Sequence, residues 1–327
     1  MPLSYGGGER VMDVYDGIEP PESQHPHYHS RQASALQILS KFLQLQDFTS
    51  AEVWRSCLVE CLATGAFVFA SILIIVSCSQ QSASPMTSIS VLHFLVISFL
   101  ILSVAPSSGG HLNPCITFMA MVLGYVSPSR VVMYTGAQCI GSIFGSLCMK
   151  LVLPHEVAHK FALGGCTIRN SAGAGFPVGS AFVAETFFTF FLMFIVATLA
   201  LDPFRAPVFG AILAPTFIAA AVGVLVFVSG GLALGYSGAG MNPARCIGPA
   251  VVMGSHNEEL WRGHWLWWVA PYFATVLVAV VYCLVPPHHV DIYRGRKDFI
   301  SSLKKAFGSH HPQVPSETRI SSENLTP

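Results

Sequence analysis

Apolar residues gather into six long runs along this chain, at 53–78, 89–104, 131–153, 181–201, 211–228 and 264–285. A helix needs about 20 such residues to cross the hydrocarbon core of a bilayer, so the pattern predicts six membrane helices. Clusters of Pro, Gly and Ser divide the runs, and Pro207, Pro215 and Gly223 interrupt the fifth. Two shorter apolar stretches follow Asn113-Pro114-Cys115 and Asn242-Pro243-Ala244. At about ten residues each they are too short to span. Small-residue loops, 107–112 and 237–241, precede them. Asn caps free amides at a helix start, and Pro in the first turn forfeits no hydrogen bond. One such tripeptide would be an ordinary cap. Two in matching places predict two half-helices that re-enter the membrane and meet inside it.

The two halves of the pattern repeat. Run one carries Glu60 in Val-Glu-Cys-Leu-Ala-Thr, and run four carries Glu185 in Ala-Glu-Thr-Phe-Phe-Thr. Ala137-Gln138-Cys139-Ile140-Gly141 in run three corresponds to Ala270-Pro271-Tyr272-Phe273-Ala274 in run six. Three runs per half is an odd number, so the halves cross the membrane in opposite senses. The expected fold is an all-α membrane protein: six transmembrane helices plus two re-entrant half-helices in an inverted repeat. Its site lies near the midplane, between the broken helices. The expected organisation is a polar tail at 1–50, a channel-like body at 51–286 with halves at 51–155 and 180–286, and a second tail at 287–327.

Composition supports membrane residence: 52% of the 327 residues are hydrophobic and only 10% are charged, against about 25% charged in soluble domains. Net charge is zero and no basic stripe is present, which argues against nucleic acid as a partner. The nine Cys are odd in number and contain no Cys-x-x-Cys pair, so no metal or redox centre is expected, and no cofactor. The first residues lack an apolar signal core, leaving the first membrane helix as the targeting signal. With six spans and an internal N-terminus, twelve of the seventeen Lys and Arg fall on the cytoplasmic side, so both termini are expected there. The basic cluster at 294–305 reads as a headgroup-facing stop. The serines at 301, 302 and 309 and the sequon at Asn324 carry little weight.

Loops at membrane depth are tolerated where protein buries them or where they line a wet cavity. The half-helix N-termini would face each other, their positive ends opposing cations, with the Asn113 and Asn242 amides as paired donors. An intramembrane carboxylate is costly unless hydrogen-bonded, so Glu60 and Glu185 are expected to hold loop amides rather than to act in catalysis. Arg245 lies about one helical turn past Asn242 and reads as a pore-lining cation. His93, alone on the second run, is on general grounds more often a satisfied core residue.

These residues together resemble the major intrinsic proteins, the aquaporin and aquaglyceroporin family. The likeness runs from about Glu52 to Val285 and rests on Gly110-His111-Leu112-Asn113-Pro114, on Gly240-Met241-Asn242-Pro243-Ala244-Arg245 and on the two glutamates. Cys246 after the second motif and Leu163-Gly164-Gly165-Cys166 are similar to the plant X intrinsic proteins. Cys115 replaces the usual Ala. The resemblance implies a central constriction at Asn113, Cys115, Asn242 and Ala244. It also implies an outer filter at His93, Gly230 (or Ser229 with the loop slipped by one), Ala239 and Arg245. A filter with tiny second and third residues favours glycerol, urea, boric acid and hydrogen peroxide, with modest water flux and no ions or protons. Trp267-Trp268 resembles the aromatic pair of water channels and points toward a water-selective pore instead. The resemblance further implies a homotetramer in the plasma membrane.

Two other classes remain. A coupled secondary transporter also uses inverted repeats and broken helices, but it needs an ion ligand, and His93 alone is available. An enzyme needs a grouped nucleophile or metal cluster, whereas His155, His159, His288 and His289 read as ungrouped loop residues.

Overall fold

Polar caps set the helix ends in the computed structural model, which describes residues 40, 43–169, 173, 175–203 and 205–284. The expectations about the far tails, the basic cluster, the sequon and both termini lie outside those residues. Helix α1 (Ala51–Gln81) starts where the Ser50 side chain accepts from the Val53 amide. Helix α2 (Met86–Ser108) follows, then the half-helix α3 (Pro114–Val122), capped by the Asn113 side chain on the Cys115 amide. Helix α4 (Pro128–Val152) is capped in the same way by Ser127 on Arg130. A short helix α5 (His155–Lys160) leads to α6 (Val178–Ile195), which ends in a π turn over Val196–Ala200. Then come α7 (Ala206–Ser229), the second half-helix α8 (Pro243–Met253), α9 (Glu258–Trp261) and α10 (Leu266–Leu284).

Six of these helical stretches are long and apolar enough to cross a membrane: Ala51–Gln81, Met86–Ser108, Pro128–Val152, Val178–Ala200, Ala206–Ser229 and Glu258–Tyr282. Each begins before its apolar run, and polar side chains cap the starts of the first, third and sixth: Ser50, Ser127 and Asn257. Three boundaries differ from the sequence reading. Ser107 and Ser108 belong to α2, which runs through Pro106 and stops at Gly109 in the left-handed region (φ 93°). The fifth helix is broken at Gly210 (φ 67°, ψ −178°), a conformation open to glycine. Residues 43–50, assigned to the tail, form part of the packed body. Leu45–Thr49 makes a 3₁₀ turn, Ser129 donates to the Leu43 carbonyl at 2.7 Å, and Ser127 donates to Asp47.

Helix pairing follows the repeat. In the first half α1 packs on α4; in the second α6 packs on α10; and α2 packs on α7 across the two. The α1–α4 crossing is close because it is made at glycines. A Cβ at Gly141 would overlap the Cys61 carbonyl oxygen, and one at Gly145 would overlap that of Gly65. Half-helix α8 lies on α4 at Gly248, beside Ser142. Lys150 donates to the Val252 carbonyl at 2.7 Å, placing a cation at the C-terminal end of α8, where the helix dipole favours one. Outside this interior the surface is apolar. Leu62, Phe99, Phe144, Leu151 and Phe187 are all more than half exposed, an arrangement stable against lipid and not against water.

Candidate functional site

The two loops that precede the half-helices are held by buried carboxylates. Glu60, with no accessible surface, accepts from the His111 amide (3.0 Å) and Ser108 hydroxyl (2.7 Å) on Oε1, and from the Leu112 amide and Gln138 side chain (both 2.8 Å) on Oε2. Glu185, equally buried, accepts from the Gly240 amide (2.8 Å) and Tyr236 hydroxyl (2.5 Å) on Oε1 and from the Met241 amide (3.1 Å) on Oε2. Each carboxylate thus takes two consecutive loop amides, and side chains supply further donors: Ser108 from α2 and Gln138 from α4 in one half, Tyr236 from the loop itself in the other.

Those amides are aimed by strained backbone. Leu112 (φ 51°) and Met241 (φ 53°), the residues just before the two asparagines, occupy the left-handed region although neither is glycine. The turn directs each carbonyl at the opposite half. Asn242 Nδ2 donates to the Leu112 carbonyl at 2.8 Å, and Asn113 Nδ2 donates to the Met241 carbonyl at 2.9 Å. The side-chain oxygens cap their own helices, Asn113 on Cys115 and Asn242 on Arg245. An amide nitrogen carries two hydrogens, so each asparagine keeps one N–H beyond the bond that ties the halves together. Cys115 and Ala244, in the first turns of the two half-helices, have no accessible surface.

The four outer positions lie on α2 (His93), at the end of α7 (Gly230), in the second loop (Ala239) and in the first turn of α8 (Arg245). His93 is buried, with Nδ1 2.8 Å from the Ile89 carbonyl and Nε2 2.8 Å from the Ser71 hydroxyl. A carbonyl only accepts, so Nδ1 carries the hydrogen and Nε2 accepts from Ser71. Both ring nitrogens are therefore occupied within the protein. Ser229 is fully buried and accepts the Ala239 amide at 2.8 Å, so its hydroxyl holds the loop. Gly230 follows at the end of α7, and a Cβ there would meet the Met86 sulfur rather than open space. Ala239 adds only a methyl group. Arg245 donates through Nη1 to Cys166 Sγ at 2.7 Å.

Cys166 is bonded to Cys246 in a disulfide across 80 residues of sequence, Cα to Cα 5.2 Å. It fastens the connection between α4 and α6 to the first turn of α8, beside Arg245. The sequence marks Cys166 and Cys246 only by their likeness to the X intrinsic proteins, and their pairing was not expected. The available signal was position: Cys115, Cys166 and Cys246 fall outside all six apolar runs, and of these Cys115 belongs to the first Asn-Pro motif. Trp267 packs with no accessible surface behind Gly240 and Cys246, and Trp268 lies along Tyr272. Both tryptophans thus pack against other residues of the protein.

Comparison with known proteins places the chain among relatives. The family profile described as Major intrinsic protein matches residues 47–282. Aquaporin-4 of Bos taurus is 30% identical over 276 residues, 83% of this chain and 80% of that one. The probable aquaporin TIP-type alpha of Phaseolus vulgaris is 32% identical over 260 residues, 76% of this chain and 94% of its own length. The X-ray structure of the aquaglyceroporin from Plasmodium falciparum matches with a TM-score of 0.61 at 18% identity, covering 73% of this chain and 99% of that chain. At that identity the likeness speaks for the fold.

Proposed function

Because the chain belongs to the major intrinsic protein family, whose members are channels and not enzymes, we propose that it is a passive channel for small uncharged solutes, with modest water flux. Glycerol, urea, boric acid and hydrogen peroxide are the solute class. The observation that carries this reading is the polarity of the outer wall. His93 has no nitrogen to spare, Gly230 and Ala239 bring no polar side chain, and Arg245 is left as the charged donor. A polyol can lay its carbons on the apolar side and its hydroxyls toward Arg245. Water, with no carbons to bury, gains less from such a wall. At the midplane, the free N–H of Asn113 and of Asn242 would turn a passing oxygen toward themselves, and the half-helix dipoles oppose cations and protons.

A coupled transporter finds little support, since the one candidate ion ligand, His93, is already satisfied on both nitrogens. The likeness of Cys166 and Cys246 to the X intrinsic proteins, a homotetramer with one pore per subunit and a plasma-membrane location complete the proposal. Arg245→Val tests the filter. Its side chain's hydrogen bond runs to Cys166, so the fold should persist while proton and cation conductance rises, the half-helix dipoles remaining as a second barrier. Voltage-clamp recording measures this. A mutant as tight to protons and cations as the wild type counts against Arg245 as a filter residue.

A further inference from the structure

The sequence His155-Glu156-Val157-Ala158-His159, read above as ungrouped loop histidines, forms the body of helix α5. Residues four apart on a helix share a face, and the rings of His155 and His159 stand 4.3 Å apart, centroid to centroid, at 45°. Both side chains are exposed, while Ala158 between them is buried and anchors the helix. Lys160, the neighbouring cation, lies 5.3 Å over the Phe161 ring.

From this pair we infer a surface site for a divalent transition-metal ion, held by His155 and His159 on the connection that also carries Cys166. Two nitrogens bound tetrahedrally at about 2.0–2.1 Å from a metal are roughly 3.3 Å apart. The rings stand side by side, 4.3 Å between centres, so side-chain rotation can turn one nitrogen of each toward a shared ion. The spacing also matches the His-Glu-x-x-His pattern of zinc hydrolases, but those need a third ligand. Among the described residues no group of three His, Cys, Asp or Glu could hold a metal. The ion is therefore held by two histidines, with water in the remaining positions. Glu156, adjacent in sequence to His155, projects from another face and is not a ligand. Imidazole selects Zn²⁺, Ni²⁺ and Cu²⁺, with Cu²⁺ the tightest, over Mg²⁺ and Ca²⁺.

Chelation makes the two histidines interdependent, and that is what the experiment reads. The full chain in detergent is treated with diethyl pyrocarbonate with and without Zn²⁺, and each histidine is followed by peptide mass spectrometry, which keeps the histidines of the tails apart. Zn²⁺ should slow modification of both His155 and His159 about tenfold, because bound metal requires the free nitrogen lone pair. Mg²⁺ at the same concentration should not. In His155→Gln, Zn²⁺ should no longer protect His159, and in His159→Gln it should no longer protect His155, whereas Glu156→Ala should keep both protections. Each protection is a ratio taken within one protein, so a change in the helix's baseline reactivity cancels. Full protection of His159 in His155→Gln, or no protection in the wild type, overturns the proposal.

Discussion

Glu60→Ala is expected to leave little protein at the membrane. The change removes the acceptor for the His111 and Leu112 amides, which are buried and have no water to turn to. Ser108 retains the Val104 carbonyl and Gln138 retains Thr117, so the two amides carry most of the loss. Each orphaned donor costs about 1–3 kcal/mol, more when its partner was charged, for a total of roughly 2–6 kcal/mol. Against a typical stability of about 5–15 kcal/mol, that is a large share. The loop also carries Leu112 in a left-handed conformation, which Glu60 helps to hold. Surface yield and detergent melting, compared with wild type, measure the effect, and Glu185→Ala should fall in the same range. Normal yield and melting with transport alone abolished would make the carboxylates functional and favour the coupled transporter.

Gly141→Val should be as severe for a different reason. The new Cβ would overlap the Cys61 carbonyl oxygen, which is backbone and cannot rotate away, so α1 and α4 must separate. Overpacking costs about 1–3 kcal/mol where side chains can yield, and more where the obstacle is main chain. Separation also draws Gln138, on the same helix, away from Glu60. The control is Gly136→Ala on α4, where a Cβ meets nothing within 4 Å. There the higher helix propensity of Ala should stabilise by up to about 1 kcal/mol. Melting temperatures of the two variants in one detergent test the contrast. Equal melting of Gly141→Val and wild type would contradict the close crossing.

Much of the fold could be read from the chain because its signals are local. Apolar runs mark membrane helices by length alone, and Asn-Pro marks a helix start through chemistry confined to three residues. What escaped depended on contact across the fold. Cys166 and Cys246 are 80 residues apart and meet because α8 begins beside the connection from α4. His93 was legible as a candidate, but Ser71, which engages one of its nitrogens, is on another helix. Nothing in the letters Leu112 and Met241 announces a left-handed backbone, since neither is glycine. The direction a Cβ takes at Gly230, toward Met86, is likewise set by how α7 meets α2. The His155–His159 pair is the reverse case: its four-residue spacing was on the page, and the helix that makes the spacing meaningful was not expected there.

Stopped-flow light scattering on proteoliposomes tests the central claim most directly, because water and solute permeability come from one preparation. Water, glycerol, urea and boric acid are run in parallel, with and without a proton gradient. The proposed channel gives measurable glycerol or boric acid flux that is linear in concentration and indifferent to the proton gradient, alongside modest water flux. Fast water flux with no detectable solute flux would contradict it.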